Sequence, residues 1–248
     1  MIWRSRHLDH PSPNYGERRG VTQPDMVVLH YTGMASAEAA IARLCDPEAE
    51  VSAHYLIDQD GRRVKLVRPR HRAWHAGVSS WGGVQDVNSH SIGIELVNPG
   101  IGGPYTPYPE PQMAQLEALL AHLIERFKIP PERVVGHACV APGRKQDPGG
   151  KFDWRRLARR GLAVWRDPVA EAAEAEAPAS AARFQRAARR FGYLCPDGES
   201  WCAGTLAVWQ AFRMRFLPQL GEAAPDAAAV AHLESLAETW PCQLSAET

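Results

Sequence analysis

Apolar residues in the first two thirds of the chain fall into short runs typical of strands. The run at 26–30 (MVVLH) predicts a buried strand, and the segments at 55–57 and 62–67 predict a hairpin around a glycine-containing loop. The segment 91–97 (SIGIELV) alternates, so Ile92, Ile94 and Leu96 face one side and Gly93, Glu95 and Val97 the other. A further short strand is predicted at 134–135.

Segments with helical periodicity separate these strands. Ser36 is expected to cap a helix that carries Ala39, Ala40, Ile41 and Leu44. After a connection rich in proline and glycine at 99–111, apolar residues recur at helical spacing up to Pro130: Met113, Leu116, Leu119, Leu120, Leu123 and Phe127. Strands interleaved with helices predict an α/β fold with a central mixed β-sheet flanked by helices.

The composition changes near residue 167. Segment 167–182 offers alanine, glutamate and proline but almost no large apolar side chain, which predicts a linker. Three apolar stripes beyond it predict a small C-terminal three-helix bundle: Phe184, Ala187, Ala188, Phe191; Leu206, Trp209, Phe212, Phe216; and Val230, Leu233, Leu236, Trp240. We therefore expect a domain at 1–166, the linker at 167–182 and a helical domain at 183–242, whose aromatic stripe forms its core.

Charge and cysteine content exclude several classes of partner. The 28 basic and 28 acidic side chains balance, so no field favours nucleic acid or an anionic membrane surface. No apolar run is long enough to span a bilayer, and residues 1–20 lack a signal-peptide core, which predicts a cytoplasmic protein; an export signal upstream would predict a periplasmic one. Five cysteines without a C-x-x-C motif argue against a disulfide framework, although pairing of Cys195 with Cys202 stays open.

Two histidines stand where a fold of this class collects ligands. His30 and His137 each follow a predicted buried strand, and Asp147 lies ten residues beyond His137 on a loop that prolines and glycines bend back. Two imidazoles and a carboxylate with one open position are the ligand set of a hydrolytic zinc site. A lone histidine at a strand end is usually structural, so the prediction depends on the whole set.

Two further residues suit zinc-dependent hydrolysis. Glu95, on the strand face opposite the aliphatic residues, is placed to deprotonate a zinc-bound water and carry the proton to the leaving nitrogen. Lys145 is placed to stabilise the oxyanion of a tetrahedral intermediate. The alternatives are a strand glutamate that faces solvent and a solvated loop lysine.

Five segments together carry a resemblance to a known family. They are VVLHYT at 27–32, SAHYLID at 52–58, RAWHAG at 72–77, NSHSIGIELVN at 88–98 and GHACVAPGRKQDPG at 136–149. In this order they resemble the zinc-dependent N-acetylmuramoyl-L-alanine amidases of the type-2 class, relatives of peptidoglycan recognition proteins. The similarity extends over roughly residues 15–160.

The resemblance implies a reaction and a set of site residues. It implies that His30, His137 and Asp147 bind one Zn²⁺ ion and that Glu95 and Lys145 are catalytic. The bond cut would join the lactyl group of N-acetylmuramic acid to L-alanine in muropeptides or peptidoglycan, with 1,6-anhydro-muropeptides of cell-wall recycling as the expected substrates. The residues implied to line the substrate groove are Tyr31, His54, Trp74, His75 and Asn88.

Several points stay open from sequence. For His54 and His75 a structural role is an equal alternative to lining the groove. The segment 191–193 and the helices after it resemble a small peptidoglycan-binding domain, but the bundle equally suits a lid over the groove or a dimer contact. The alternative functions are a non-catalytic recognition module, which would be expected to lack a zinc ligand, and a hydrolase of another amide, because a metal site hardly fixes the substrate.

Overall fold

The computed structural model describes residues 9–168 and 179–242, and a five-stranded mixed sheet lies at the centre of this part of the chain. Its strands are β2 (Met26–Tyr31), β3 (Tyr55–Ile57), β4 (Arg63–Lys65), β6 (Ser91–Leu96) and β7 (Val134–Gly136), in the spatial order β4–β3–β6–β2–β7. The β3–β4 pair is an antiparallel hairpin, and all other neighbours are parallel. The predicted α/β fold with a central mixed sheet is confirmed.

The parallel register brings the carboxyl ends of three strands to one edge of the sheet. His30 in β2 lies opposite Glu95 in β6, and Leu29 lies opposite Gly136 in β7. His137 is the next residue after β7. Residues that are far apart in sequence therefore meet at this edge.

The two long helical predictions for this half of the chain are confirmed. Helix α1 (Ala37–Cys45) begins after Ser36, whose side chain accepts a hydrogen bond from the backbone of Ala39. Helix α3 (Glu110–Phe127) buries its apolar stripe against the aliphatic face of the sheet, which includes Ile92, Ile94 and Leu96. The opposite face of β6 is left for Glu95 and its neighbours.

Several short elements were not predicted. They are the antiparallel pair β1 (Tyr15–Glu17) and β5 (His71–Ala73), and the helices α2 (Val87–His90), α4 (His137–Val140) and α5 (Trp154–Arg159). Elements of three to six residues are too short to show a period. The turn α4 is held from outside, because Ala138 donates its backbone N–H to the carbonyl of Asp147 at 2.9 Å.

The three C-terminal helices are present as predicted. Helices α6 (Ala181–Phe191), α7 (Ala203–Phe216) and α8 (Ala227–Thr239) bury most of the predicted stripes, although Leu206 is 38% exposed. Helix α6 begins two residues before the predicted end of the linker, because Ser180 caps it by accepting from the backbone of Arg183. Most of the predicted linker, 169–178, lies outside the described residues.

The helical domain shares one core with the sheet. A single apolar cluster contains Val28 and Val135 from the sheet, Trp81 from a loop, and Phe191 and Phe212 from the bundle. The backbone of Gly82 also donates to the carbonyl of Gly192 at 2.8 Å. The bundle is thus packed against the sheet rather than held away from it.

Arg215 of helix α7 is buried at the same junction. Its guanidinium lies over the ring of Trp154, 4.2 Å from the ring centroid, and donates to the backbone carbonyl of Val134.

None of the helices in the described part of the chain is long and apolar enough to cross a bilayer. All five cysteines are free thiols, so Cys195 and Cys202 are not paired in the structure.

Candidate active site

Three side chains converge at the sheet edge as the sequence predicts. His30 comes from the end of β2, His137 from the first position of α4, and Asp147 from the loop that returns to them. The Nδ1 atoms of the two histidines are 2.9 Å apart, and each lies 3.0 Å from Oδ2 of Asp147. All three residues are buried, with at most 6% of any of them exposed.

The far edges of both imidazoles contact other groups. His137 Nε2 lies 3.2 Å from the carbonyl oxygen of Ala76, and His30 Nε2 lies 3.2 Å from His75 Nδ1. A carbonyl only accepts hydrogen bonds, so neutral His137 carries its proton on Nε2 and leaves Nδ1 unprotonated. The Nδ1 atom of His137 is therefore available as a ligand.

The electrostatics of this cluster favour a neutral His30 and an ionised carboxylate. Burial, reinforced by neighbouring His137, lowers the pKa of His30 to about 4, so the ring is uncharged near neutral pH. Burial by itself would raise the pKa of Asp147, but its contacts with His137 and His30 hold that pKa well below the ordinary value. The cluster thus offers a cation the lone pairs of the histidine nitrogens and the negative charge of Asp147.

These residues fit a zinc ion. Two imidazole nitrogens and a carboxylate oxygen lie within 4.8 Å of one another, and this is the donor set of a catalytic zinc site with one position left for water or substrate. Unprotonated nitrogens packed against a carboxylate in a buried site repel one another unless a cation lies between them.

Glu95 lies next to the candidate metal ligands and lines the same groove. Its Oε2 atom is buried and has no hydrogen-bond partner among the residues the structure describes. Burial raises the pKa of Glu95 well above its ordinary value, the charge of Asp147 raises it further, and Lys145 opposes the shift. Glu95 is half-buried and faces the groove, where its carboxyl group is suited to holding a proton.

Lys145 lines the groove close to the same atoms. Its backbone is fixed by a hydrogen bond to the carbonyl of Ala141 at 3.1 Å, and its side chain is half-buried. The side chain acts electrostatically on Glu95 and on His30, which places a positive charge beside the convergence point.

The groove has a volume of about 500 Å³ and contains eight of the ten predicted site residues. These are His30, Tyr31, Trp74, His75, Glu95, His137, Lys145 and Asp147. Its wall also contains residues that were not predicted to line it: Thr32, Gly33, Met34, Ala40, Arg43, Leu44, Val51, Ser52, Arg144 and Gln146. Thr32, Gly33 and Met34 come from the β2–α1 connection and Ala40, Arg43 and Leu44 from helix α1, whereas the other four come from loops, whose paths no periodic pattern reveals.

His54 and Asn88, expected in the groove wall, lie behind it. The ring of His54 is fully buried and accepts from the backbone of Gly93 at 3.0 Å; burial, with nearby Arg18, lowers its pKa to about 3. The side-chain oxygen of Asn88 accepts from the backbone N–H groups of His75 and Ala76, at 3.0 and 2.9 Å. Their polar atoms thus hold the protein itself together.

Two small residues near Glu95 were missed by the sequence analysis. Ser91 donates its hydroxyl to the carbonyl of Val87 and lies 3.2 Å from His75 Nε2. Gly93 leaves space for the same ring, because a Cβ atom there would lie 2.5 Å from it. The available signal was that small residues occupy the face of β6 that also carries Glu95.

Comparison with known proteins identifies similar chains. Residues 20–150 match the family model described as N-acetylmuramoyl-L-alanine amidase. The chain is 35% identical over 233 residues to the N-acetylmuramoyl-L-alanine amidase AmiD of Escherichia coli (strain K12), covering 87% of this chain and 83% of that protein. It is 38% identical over 164 residues to the 1,6-anhydro-N-acetylmuramyl-L-alanine amidase AmpD of Citrobacter freundii, covering 59% of this chain and 86% of that protein.

Two similar structures extend over both parts of the chain. A complex of E. coli AmiD with anhydro-N-acetylmuramic acid-L-Ala-D-γ-Glu-L-Lys superposes with a TM-score of 0.77 at 32% identity, covering 95% of this chain and 93% of that one. AmpDh3 of Pseudomonas aeruginosa in complex with anhydromuramic pentapeptide gives a TM-score of 0.79 at 31% identity, covering 97% and 98%.

Proposed function

Because the chain belongs to the N-acetylmuramoyl-L-alanine amidase family, we propose that it hydrolyses the amide bond between N-acetylmuramic acid and L-alanine in muropeptides of cell-wall recycling. The observation that carries this proposal is the convergence of three metal-binding side chains with Glu95 and Lys145 at one groove. A non-catalytic protein that only binds peptidoglycan needs neither metal ligands nor catalytic residues.

The substrate class is 1,6-anhydro-muropeptides. The similar structures of AmiD and AmpDh3 hold an anhydromuramic tripeptide and an anhydromuramic pentapeptide. A groove of about 500 Å³ is within the size range of small-molecule sites, and Tyr31 and Trp74 offer aromatic surface to the sugar or peptide.

One Zn²⁺ ion would be held by His30 Nδ1, His137 Nδ1 and the Asp147 carboxylate. When bound, zinc would polarise the scissile carbonyl and lower the pKa of a bound water to about 7. The chain itself provides ligands whose lone pairs face the site and a carboxyl group with a raised pKa beside them.

Glu95 and Lys145 move the proton and stabilise the developing charge. The Glu95 carboxylate takes a proton from the attacking water as its oxygen bonds to the carbonyl carbon, and then gives that proton to the L-alanine nitrogen as the C–N bond breaks. The Lys145 ammonium stabilises the negative charge on the former carbonyl oxygen. The products are a free lactyl carboxylate and a peptide with an amino-terminal L-alanine.

The helical domain at 183–242 supports the groove wall from behind. Trp81, five residues beyond Ala76, is fully buried against Phe191 and Tyr193 of that domain. The shared core favours this role over a binding module that moves independently of the amidase domain at 1–166.

The proposed substrate supports a cytoplasmic location. Anhydro-muropeptides that are recycled inside the cell suit a cytoplasmic enzyme, and five free thiols suit a reducing environment. A periplasmic location is the alternative, and cell fractionation followed by immunodetection distinguishes the two.

The function is tested with purified protein in three measurements. Metal analysis should find one zinc per chain, and mass spectrometry of digests of anhydro-muropeptides should find cleavage only at the lactyl–L-alanine bond. Asp147→Ala should abolish turnover while the protein stays folded. Turnover by this variant at the parent rate, or cleavage only of other amides, would refute the proposal. Parallel assays on intact sacculi report the preference for soluble or polymeric substrate.

A further inference from the structure

We infer that His75, Ser91 and Asn88 are positioning residues that fix the ring protons of His30 and His137 on Nε2, so that both histidines present Nδ1 to the metal. The inference rests on the metal site of the proposed function. It gives His75, which borders the groove, and Asn88, which lies behind it, a structural role toward the metal ligands.

The first arm of this hydrogen-bond network runs from the backbone carbonyl of Val87 through Ser91 and His75 to His30. The carbonyl of Val87 can only accept, so the Ser91 hydroxyl donates to it at 2.5 Å. Ser91 Oγ must then accept from His75 Nε2, which lies 3.2 Å away. With its proton on Nε2, His75 has a free lone pair on Nδ1, and this accepts from His30 Nε2 at 3.2 Å. The carbonyl of Val87 thus fixes which atom donates and which accepts in each of these hydrogen bonds. As a result, His30 Nδ1 is left unprotonated.

The second arm of the network runs from the backbone carbonyl of Ala76, the residue after His75, to His137. The carbonyl of Ala76 lies 3.2 Å from His137 Nε2 and fixes the proton there. The side-chain oxygen of Asn88 accepts from the backbone of both His75 and Ala76, at 3.0 and 2.9 Å. Both arms therefore pass through the segment His75–Ala76, which a single amide oxygen holds in place.

The space around His75 provides an observation independent of hydrogen bonds. A Cβ atom at position 93 would lie 2.5 Å from two ring carbons of His75, so the ring occupies its position only because that residue is glycine. The ring is perpendicular to that of His30, at an interplanar angle of 76°, with 5.1 Å between the centroids. The packing and the polar contacts thus select the same orientation.

Both ring nitrogens and the backbone N–H of His75 take part in this network. Nδ1 faces His30, Nε2 faces Ser91, and the backbone N–H is bonded to Asn88. Although His75 borders the groove, it has no ring nitrogen left to bind substrate. Partners of this kind orient metal-binding histidines, and their loss typically weakens metal affinity about 10–100-fold.

The first test uses the parent protein loaded with zinc, because the ion relieves the repulsion between the two unprotonated Nδ1 atoms. Long-range ¹H–¹⁵N correlation spectra of histidine-labelled protein should show His30, His75 and His137 all protonated on Nε2 and unprotonated on Nδ1. A proton on Nδ1 of His30 or His75 would overturn the inference. This measurement needs no variant and no turnover.

The second test compares two fully buried serines. Ser91→Ala removes the acceptor for His75, whereas Ser89→Ala removes a hydroxyl that is bonded instead to Asp86 at 2.8 Å. In competition with a chelator, the zinc dissociation constant should rise about 10–100-fold for Ser91→Ala and stay at the parent value for Ser89→Ala. Gly93→Ala, which displaces the His75 ring without removing a polar atom, should behave like Ser91→Ala.

The outcomes separate this inference from the proposed function. A parent protein that binds no zinc counts against the proposed function. A parent that binds zinc, with Ser91→Ala binding equally tightly or weakened no more than Ser89→Ala, overturns the inference. If Ser91→Ala does not fold, the histidine tautomers measured in the parent protein test the inference by themselves.

Discussion

The indole of Trp81 lies edge-on to the ring of Tyr193, at an interplanar angle of 77° with 5.0 Å between the ring centroids. Trp81 belongs to the loop that follows the groove residues Trp74 and His75, whereas Tyr193 follows helix α6. This contact ties the wall of the groove to the helical domain.

Trp81→Ala should therefore destabilise the whole protein. Removing a fully buried indole leaves a cavity between the two parts and costs about 3–5 kcal/mol in the free energy of unfolding. Urea unfolding measures this. Because the core is shared, the parent should unfold in a single transition by both fluorescence and circular dichroism, and two separate transitions would contradict the shared core.

Trp74→Ala is the matched control, with the same change made in the groove. Trp74 is half-buried and lines the groove, so its loss should raise KM for muropeptides while the free energy of unfolding changes little. The opposite pattern, with Trp81→Ala affecting only KM, would show that the indole at 81 faces substrate rather than the core.

Glu95→Gln should abolish most of the catalysis and leave metal binding intact. The amide keeps the shape of the side chain but cannot accept and return a proton, so kcat should fall about 10²–10⁴-fold. Zinc affinity and thermal stability should stay at or above the parent values, since the replaced carboxyl oxygen has no hydrogen-bond partner in the described structure. As a control, Glu117→Gln breaks an ion pair with Arg156 and should lower stability without changing kcat.

Lys145→Ala should lower kcat about 10²–10³-fold, the usual effect of removing one group that stabilises an oxyanion. The matched change, Lys151→Ala, removes an ammonium that donates to the carbonyl of Tyr105 and should leave kcat unchanged. Steady-state kinetics of both variants check the prediction, and equal effects would assign Lys145 to general surface charge.

His232→Leu should stabilise the protein and flatten its dependence on pH. The ring is 2% exposed, lies near Phe212 and Phe216, and has no hydrogen-bond partner for either nitrogen within the described residues. Removing it should add about 1–2 kcal/mol to the free energy of unfolding at pH 7.

The sign of the pH effect follows from the lowered pKa of His232. Burial, with Arg166 adding to it, lowers this pKa to about 4, whereas an unfolded histidine has a pKa of about 6.5. Between these values only the unfolded state takes up the proton, so stability falls as the pH drops from about 6.5 to about 4. Urea unfolding of His232→Leu at several pH values should show a shallower fall. The exposed His10→Gln is the control, and parallel curves for parent and His232→Leu would contradict the prediction.

The sequence could predict the residues that regular structure positions. Parallel strands bring their carboxyl ends together, which places His30 beside His137, and alternation along β6 puts Glu95 on the face away from the aliphatic residues. Apolar spacing likewise predicted helices α1 and α3 and the three C-terminal helices.

What the sequence could not predict depends on contacts between distant segments. Trp81 stands in a polar, glycine-containing loop, yet it is fully buried because the helical domain covers it. The groove residues Gly33 and Arg144 lie near the site on loops whose paths carry no periodic signal. An apolar stripe predicts that one face of a helix is buried. It does not predict which segment of the protein packs against that face.

The separation of the candidate metal ligands along the chain has a consequence for folding kinetics. His30 lies 107 residues before His137 and 117 before Asp147, and the parallel pairs β2–β6 and β2–β7 must form before they meet. Closing such long loops is slow, and the complete site exists only after topology is established. An ion held there should therefore slow unfolding while leaving the refolding rate unchanged, so that metal uptake reports the last step of folding rather than guiding the first.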